Sequence, residues 1–137
     1  DGFFLLDDQG KKEWTLQTLE RGVEQLLPLV GWSPEPFQQA FTQARALGLR
    51  NEWVWRKKAS PTRKQTGEIL VRHDIHACDI SMVVRDRSGE VLRRELLVSS
   101  EPDEFFFYYH LGALKWLSET RVALINRDGD RQWAVDL

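Results

Sequence analysis

Apolar runs separated by short polar turns occur at three places along the chain, and each turn contains a glycine: Gly10, Gly89 and Gly129. Asp or Asn stands close to each glycine. These residue types favour tight turns, because glycine adopts positive φ without a steric penalty and Asp and Asn tolerate it. The pattern predicts three β-hairpins. They cover Phe3 to Trp14, Ile80 to Val98 and Val122 to Val135.

Helical periodicity follows the first of these segments. Apolar residues three or four positions apart share one helix face: Leu16, Leu19, Val23, Leu26 and Val30. This helix is predicted to end near Gly31, with Pro28 kinking or shortening it. A second helix is predicted from the N-cap Ser33 and Pro34 to the C-cap Gly48. Its predicted buried stripe is Phe37, Phe41, Ala44 and Leu47. Together the two helices predict an αα-hairpin.

A third helix is predicted after Ser100, where Pro102, Asp103 and Glu104 form a favourable N-terminus. Its main apolar stripe is Phe107, Leu111, Leu114 and Leu117. Further apolar residues widen the stripe, which is typical of a helix packed across a sheet.

Two further strands are predicted at Glu52 to Arg56 and Glu68 to Ile75, joined by a long polar connection from Lys57 to Gly67. The resulting fold class is α+β. An antiparallel β-sheet built from hairpins carries the αα-hairpin and one helix from the C-terminal half of the chain. With no linker composition in the sequence, residues 1–137 are predicted to form a single domain.

Composition narrows the class of protein. The chain has 137 residues, 42% of them hydrophobic, which suffices for one core without disulfides. Its single cysteine and the absence of a long apolar run or basic leader predict a soluble protein in a reducing compartment, the cytoplasm. The net charge of −2 restricts any nucleic-acid contact to a local patch. Isolated glycines form no phosphate loop, and no cofactor is predicted.

One segment combines aromatic and basic residues without an acid: Trp53, Trp55, Arg56, Lys57, Lys58, Arg63 and Lys64. In a strand, the two tryptophans share a face and Arg56 lies on the other. Exposed indoles beside a basic loop stack bases and bind phosphates, which makes a nucleic-acid-binding module one alternative function. The same pattern also fits tryptophans that line the core beside a basic loop whose charges are simply hydrated.

The string His73 to Asp79 suggests a second alternative, a small metal-dependent hydrolase. In an extended strand Asp74, His76 and Cys78 share one face, and zinc accepts all three ligand types. Neighbours on such a face lie about 7 Å apart, too far for one ion to reach all three. A strand with a polar face is therefore favoured, and no metal ligand is predicted.

Five consecutive aromatic residues, Phe105 to Tyr109, cover every side of the third predicted helix and cannot all enter one core. Either a second layer covers some of them, or they face a partner. The predicted partner surface is Phe105, Tyr108 and Tyr109. If the aromatic residues are instead buried on both sides of the helix, His110 is predicted to be a hydrogen-bonded histidine among apolar residues.

No catalytic signature is present. The leading hypothesis is therefore a non-catalytic protein-binding module: a regulator, adaptor, inhibitor or immunity-type protein. Its partner is another protein or a second copy of this chain.

Overall fold

Residues 2–137 are described by a computed structural model, in which three α-helices accompany two antiparallel β-sheets. The predicted α+β class with its hairpin layout is confirmed. Contacts divide the chain into two compact units, the first ending at Arg50 and the second running Asn51–Leu137. The assignment of the whole chain to a single domain stays a prediction.

The first unit contains the two predicted helices, but the predicted buried stripe of the second is not buried: Phe37, Phe41 and Ala44 are half-buried and Leu47 is exposed. A 3₁₀ helix, Gly2–Leu5, precedes α1 (Asp8–Val30) and α2 (Glu35–Ala46). α1 continues through its proline and ends as predicted at Gly31, whose φ of 68° suits glycine. Arg45 of α2 joins the helices, with ion pairs of 2.9 Å to Glu13 and 2.5 Å to Glu20. No helix in the described part of the chain is both long and apolar enough to cross a membrane.

The hairpin predicted over Phe3 to Trp14 is wrong. The Asp7 carboxylate accepts a hydrogen bond from the backbone N–H of Gly10 at 2.7 Å, so it caps the first turn of α1. The polar segment before Gly10 is therefore the start of a helix, because an Asp at this position accepts a hydrogen bond from a backbone N–H that has no partner within the helix. The predicted N-cap of α2 is also wrong. The N-cap is Pro34, and the Ser33 side chain instead contacts the Glu35 carboxylate.

The second unit contains the strands. They are β1 (Asn51–Ala59), β2 (Gln65–His73), β3 (Cys78–Asp86), β4 (Val91–Ser100), β5 (Ala113–Ser118), β6 (Arg121–Ile125) and β7 (Gln132–Asp136). One sheet has the order β1-β2-β3-β4 and the other β5-β6-β7, all antiparallel. The hairpins predicted around Gly89 and Gly129 are confirmed, with φ of 90° and 76° at the two glycines.

A single core joins both sheets and the short helix α3 (Glu104–His110). It includes Ile80 and Met82 of β3, Phe107 of α3 and Leu124 of β6. β2 and β3 are the inner strands of the four-stranded sheet, and they therefore supply most of the fully buried side chains of the core. This core supports α3 beside the strands and positions its remaining aromatic side chains.

Three boundaries inside this unit differ from the prediction. The connection expected from Lys57 to Gly67 is shorter than predicted, since β1 runs to Ala59 and β2 begins at Gln65, with Lys58 paired to Gly67. The third helix ends at His110, and β5 follows. Leu114 and Leu117 thus belong to a strand. The backbone N–H and C=O groups after Gly112 form their hydrogen bonds with β6 and not within a helix.

Candidate functional site

A cleft of about 390 Å³ opens in the second unit between β1, the end of α3, β5 and the β6–β7 turn. Three cations line it: Arg56, Lys115 and Arg127. The aromatic rings of Trp55 and Tyr108 complete the sides, and among residues 2–137 no carboxylate contributes to the lining. We call this the cationic cleft. Its composition suits an anionic ligand.

Arg56 enters the cleft because β1 contains a bulge. The register of β1 against β2 skips between Val54 and Arg56, which leaves Trp55 as the extra residue. The guanidinium carbon of Arg56 lies 4.4 Å from the centroid of the Trp55 ring. The predicted separation of Arg56 from this tryptophan is therefore wrong, since strict alternation is lost at a bulge. Stacking on the indole holds the exposed guanidinium at the cleft.

Arg127 is held at the opposite side by the β6–β7 turn. Its backbone N–H donates to the carbonyl of Tyr109 at 3.0 Å, which ties the turn to α3. Its guanidinium carbon lies 4.2 Å from the Tyr108 ring centroid. The turn itself is closed by buried Asn126, which donates to Asp130 at 2.7 Å. Two guanidinium groups, each stacked on an aromatic ring, thus flank the cleft.

Lys115 supplies the third cation from β5. Successive side chains of a strand point to opposite faces. The neighbouring Trp116 packs against the core and its indole N–H donates to the Lys58 carbonyl at 2.9 Å, so Lys115 points outward and is exposed.

Three aromatic side chains of α3 are exposed. Phe105 is 93% exposed, Phe106 60% and Tyr108 45%. We call these three the aromatic surface. The helix that carries them is anchored at two points: the Asp103 carboxylate accepts a hydrogen bond from the Phe105 N–H, and the buried Phe107 ring packs against the rings of Trp53 and His73.

The predicted partner residues Phe105, Tyr108 and Tyr109 lie together around a concavity of about 430 Å³, with Glu104 and Arg127 at its sides. Tyr109 is half-buried and its hydroxyl donates to Asp130 at 3.3 Å. Burial and the adjacent Asp130 and Asp128 carboxylates raise the pKa of Tyr109. Tyr108 and Arg127 line both this concavity and the cationic cleft, so the two adjoin each other.

The remaining residues of the basic segment lie elsewhere. Trp53 is half-buried and contacts the Phe107 ring, with centroids 6.4 Å apart. Lys57 forms a 2.9 Å ion pair with the buried Glu68. Three more, Lys58, Arg63 and Lys64, lie exposed at or beside the turn between β1 and β2. Only Trp55 and Arg56 of the predicted nucleic-acid set line the cationic cleft.

The strand predicted from His73 to Asp79 is wrong. β2 ends at His73 and β3 begins at Cys78, with a turn between them in which the Asp74 N–H donates to the Ala77 carbonyl at 2.9 Å. Cys78 is fully buried, and burial together with the Asp79 charge raises the pKa of its thiol to about 11. A protonated, inaccessible thiol is a poor nucleophile and metal ligand.

Residues 2–137 contain no group of three or more His, Cys, Asp or Glu side chains positioned to hold a metal ion. The metal-dependent hydrolase hypothesis therefore gains no support from the side chains of this turn.

His110, at the end of α3, is only partly buried. Within the described part of the chain its buried Nδ1 has no hydrogen-bond partner. The ring instead makes edge contacts with Tyr109 and Trp133, with centroids 5.5 and 5.3 Å away. Burial and the charge of Arg131 hold the pKa of His110 below its ordinary value.

This histidine predicts a pH dependence of stability. The folded state disfavours the imidazolium, so the unfolded chain binds more protons as the pH falls below the ordinary histidine pKa of about 6.5. Stability is then lost towards acid. Replacing His110 with phenylalanine is expected to flatten the loss between about pH 6.5 and 5, measured by urea unfolding at several pH values. Parallel pH profiles for the two proteins would contradict this expectation.

Sequence reasoning missed Lys115 and Arg127. Lys115 lay inside the predicted third helix and Arg127 inside a hairpin turn, and no local pattern connected either to Arg56. They meet because β5, β6 and β1 belong to one folded unit.

No protein-family model, curated protein or solved structure matches this chain.

Proposed function

We propose that this chain is a non-catalytic protein-binding module that holds its partner against the aromatic surface. The observation that carries the proposal is the exposure of Phe105, Phe106 and Tyr108 on one short helix. Exposed aromatic side chains grouped together are uncommon on proteins without partners and are enriched at protein interfaces.

The surroundings of these side chains support the same function. α3 is capped by Asp103 and anchored through Phe107, so the backbone that carries the exposed rings is already ordered before a partner binds. The concavity beside Phe105 has charged residues, Glu104 and Arg127, at its sides. An apolar centre with a polar rim is the usual layout of a protein interface.

Nucleic-acid binding is less well supported. Trp53 and Trp55 both pack against the core, so their indoles are only half-exposed for stacking with bases. The charge of Lys57 is neutralised by Glu68, and Arg85 pairs with the same carboxylate. Lys57 and Arg85 are thus held by a carboxylate of the protein and are not free to bind the phosphates of a nucleic acid.

A photocrosslinking experiment tests the proposal. With a benzophenone amino acid at position 105, the chain is expected to form a discrete adduct with one protein in its native host. The same residue at Leu92, which is 48% exposed on β4, is the control and is expected to form none. Sedimentation of the purified chain decides whether that partner is a second copy.

Once the partner is identified, Phe105→Ala is expected to weaken binding about 30-fold, the loss typical of a central interface aromatic. Its stability should change by less than about 0.5 kcal/mol, because the side chain is largely exposed. Leu92→Ala, the matched control, should bind normally. Unchanged affinity of the Phe105 variant in titration calorimetry would reject the aromatic surface as the interface.

A further inference from the structure

We infer that the cationic cleft binds a phosphate group carried by a side chain of the partner protein, an inference that rests on the proposed function. Three cations converge there, from β1, β5 and the β6–β7 turn. Cations that converge from separate parts of a fold repel one another unless an anion lies between them.

Both arginines of the cleft pack against an aromatic ring. The guanidinium group of Arg56 lies over Trp55, and that of Arg127 lies over Tyr108, at 4.4 and 4.2 Å. A guanidinium stacked through its face keeps its N–H groups available at the edge, where they match a phosphate or carboxylate bidentately. The aromatic rings thus preorganise two forks of donors at one cleft.

No acidic side chain of the protein occupies these donors. Over residues 2–137, neither arginine nor Lys115 lies within ion-pair distance of a carboxylate. Lys57, the next residue along β1 after Arg56, is by contrast paired with Glu68 at 2.9 Å. Full hydrogen-bonding capacity therefore remains for an external anion.

A phosphate monoester fits this arrangement better than a carboxylate. It carries a charge of about −1.5 to −2 at neutral pH and three acceptor oxygens, so it can satisfy three separate cations. A carboxylate carries one charge and two oxygens, which a single arginine fork already satisfies.

A peptide fits better than a nucleic acid. The cleft has one group of cations, and the adjoining concavity beyond Tyr108 and Arg127 is lined by Glu104 and by the exposed ring of Phe105. A second phosphate of a nucleic acid would meet that carboxylate, whereas an apolar side chain of a peptide would meet the ring. One partner segment can thus place a phosphorylated residue in the cleft and an apolar residue against the aromatic surface.

The test uses the full chain and short fluorescent peptides with a central phosphoserine and one large apolar residue at varied spacing. We expect at least one peptide to bind about tenfold more tightly than its unphosphorylated counterpart in fluorescence polarisation. Arg56→Gln and Arg127→Gln should each remove most of that preference. Arg94→Gln, which removes an exposed arginine of β4, changes the net charge equally and should retain it.

Equal binding of phosphorylated and unphosphorylated peptides, no binding of any phosphopeptide, or an equal loss in Arg94→Gln would overturn the inference. Tighter binding of oligothymidylate than of every phosphopeptide would overturn it in favour of nucleic acid. Phe105→Ala separates the two proposals. If the phosphate preference is absent but this variant still loses its partner, only the present inference fails. If the preference persists and the variant loses no binding to peptide or partner, the proposed function fails instead.

Discussion

Replacing Gly112 with alanine is expected to lower the free energy of unfolding of the second unit by about 3 kcal/mol. A Cβ atom at this position would lie 2.3 Å from the carbonyl oxygen of Asn126 and 2.5 Å from that of Ile125. Both contacts are with backbone, which cannot rotate away as a flexible side chain can. Relief requires the β6 end to move, and the 3.1 Å hydrogen bond from Gly112 N–H to Ile125 would be strained or lost.

Chemical unfolding followed by tryptophan fluorescence measures this loss. Gly22→Ala is the matched control, because Gly22 lies within α1 and a Cβ there meets nothing within 4 Å. In a helix interior that substitution should stabilise by about 0.5–1 kcal/mol, seen as greater resistance of the helical circular dichroism to urea. The two substitutions therefore have opposite expected signs. A Gly112 variant as stable as the wild type would contradict this expectation, because it would show that the backbone at the end of β6 can move at little cost in free energy.

Turn chemistry was the part of the fold best predicted from sequence. Gly89 and Gly129 both adopt positive φ in the turns of real hairpins, and Gly31 does so at the end of α1. A turn of this kind depends on a few neighbouring residues, so local sequence is sufficient to predict it.

Segments with two compatible periodicities were predicted poorly. Leu111, Leu114 and Leu117 have helical spacing, yet Leu114 and Trp116 also alternate with exposed neighbours as in a strand. Pairing of β5 with β6 decides between the two, and that partner strand is not visible in local sequence. Asp7 shows the same problem at a smaller scale, because an aspartate before a glycine suits a hairpin turn and a helix N-cap equally.

The candidate site was predicted only in part for a related reason. Trp55, Arg56 and Tyr108 carried a signal, since aromatic and basic residues cluster around them in the sequence. Lys115 and Arg127 join them only through strand pairing, and the bulge that turns Arg56 onto Trp55 has no sequence signature of its own. The ion pair that neutralises Lys57 likewise depends on which residue of β2 lies opposite.

Replacing Glu68 with glutamine is expected to lower the free energy of unfolding by about 2 kcal/mol at neutral pH. The Glu68 side chain is buried, and it accepts from Lys57 at 2.9 Å and from Arg85 at 3.2 Å. Glutamine keeps the shape but loses the charge, which leaves both cations without an opposite charge. The loss is smaller than for a fully enclosed pair, because the Lys57 and Arg85 side chains remain partly hydrated.

The pH dependence identifies the charge as the cause. Burial raises the pKa of Glu68, but hydrogen bonds from Lys57 and Arg85 outweigh this effect and lower the pKa overall. A carboxyl whose pKa is lowered by folding stabilises the protein above its unfolded pKa, about 4.3, and loses that contribution as the pH falls through the folded value. The difference between wild type and Glu68→Gln should therefore be largest near pH 7 and shrink below about pH 4.

Glu95→Gln provides the comparison, since Glu95 pairs with Arg93 at 2.9 Å in the same sheet with both side chains exposed. An exposed pair contributes less than about 1 kcal/mol because water screens it. If both substitutions had the same small effect at neutral pH, the buried carboxylate of β2 would contribute no more than a surface charge. A large effect of Glu68→Gln that persisted unchanged into acid would instead trace the loss to packing of the side chain.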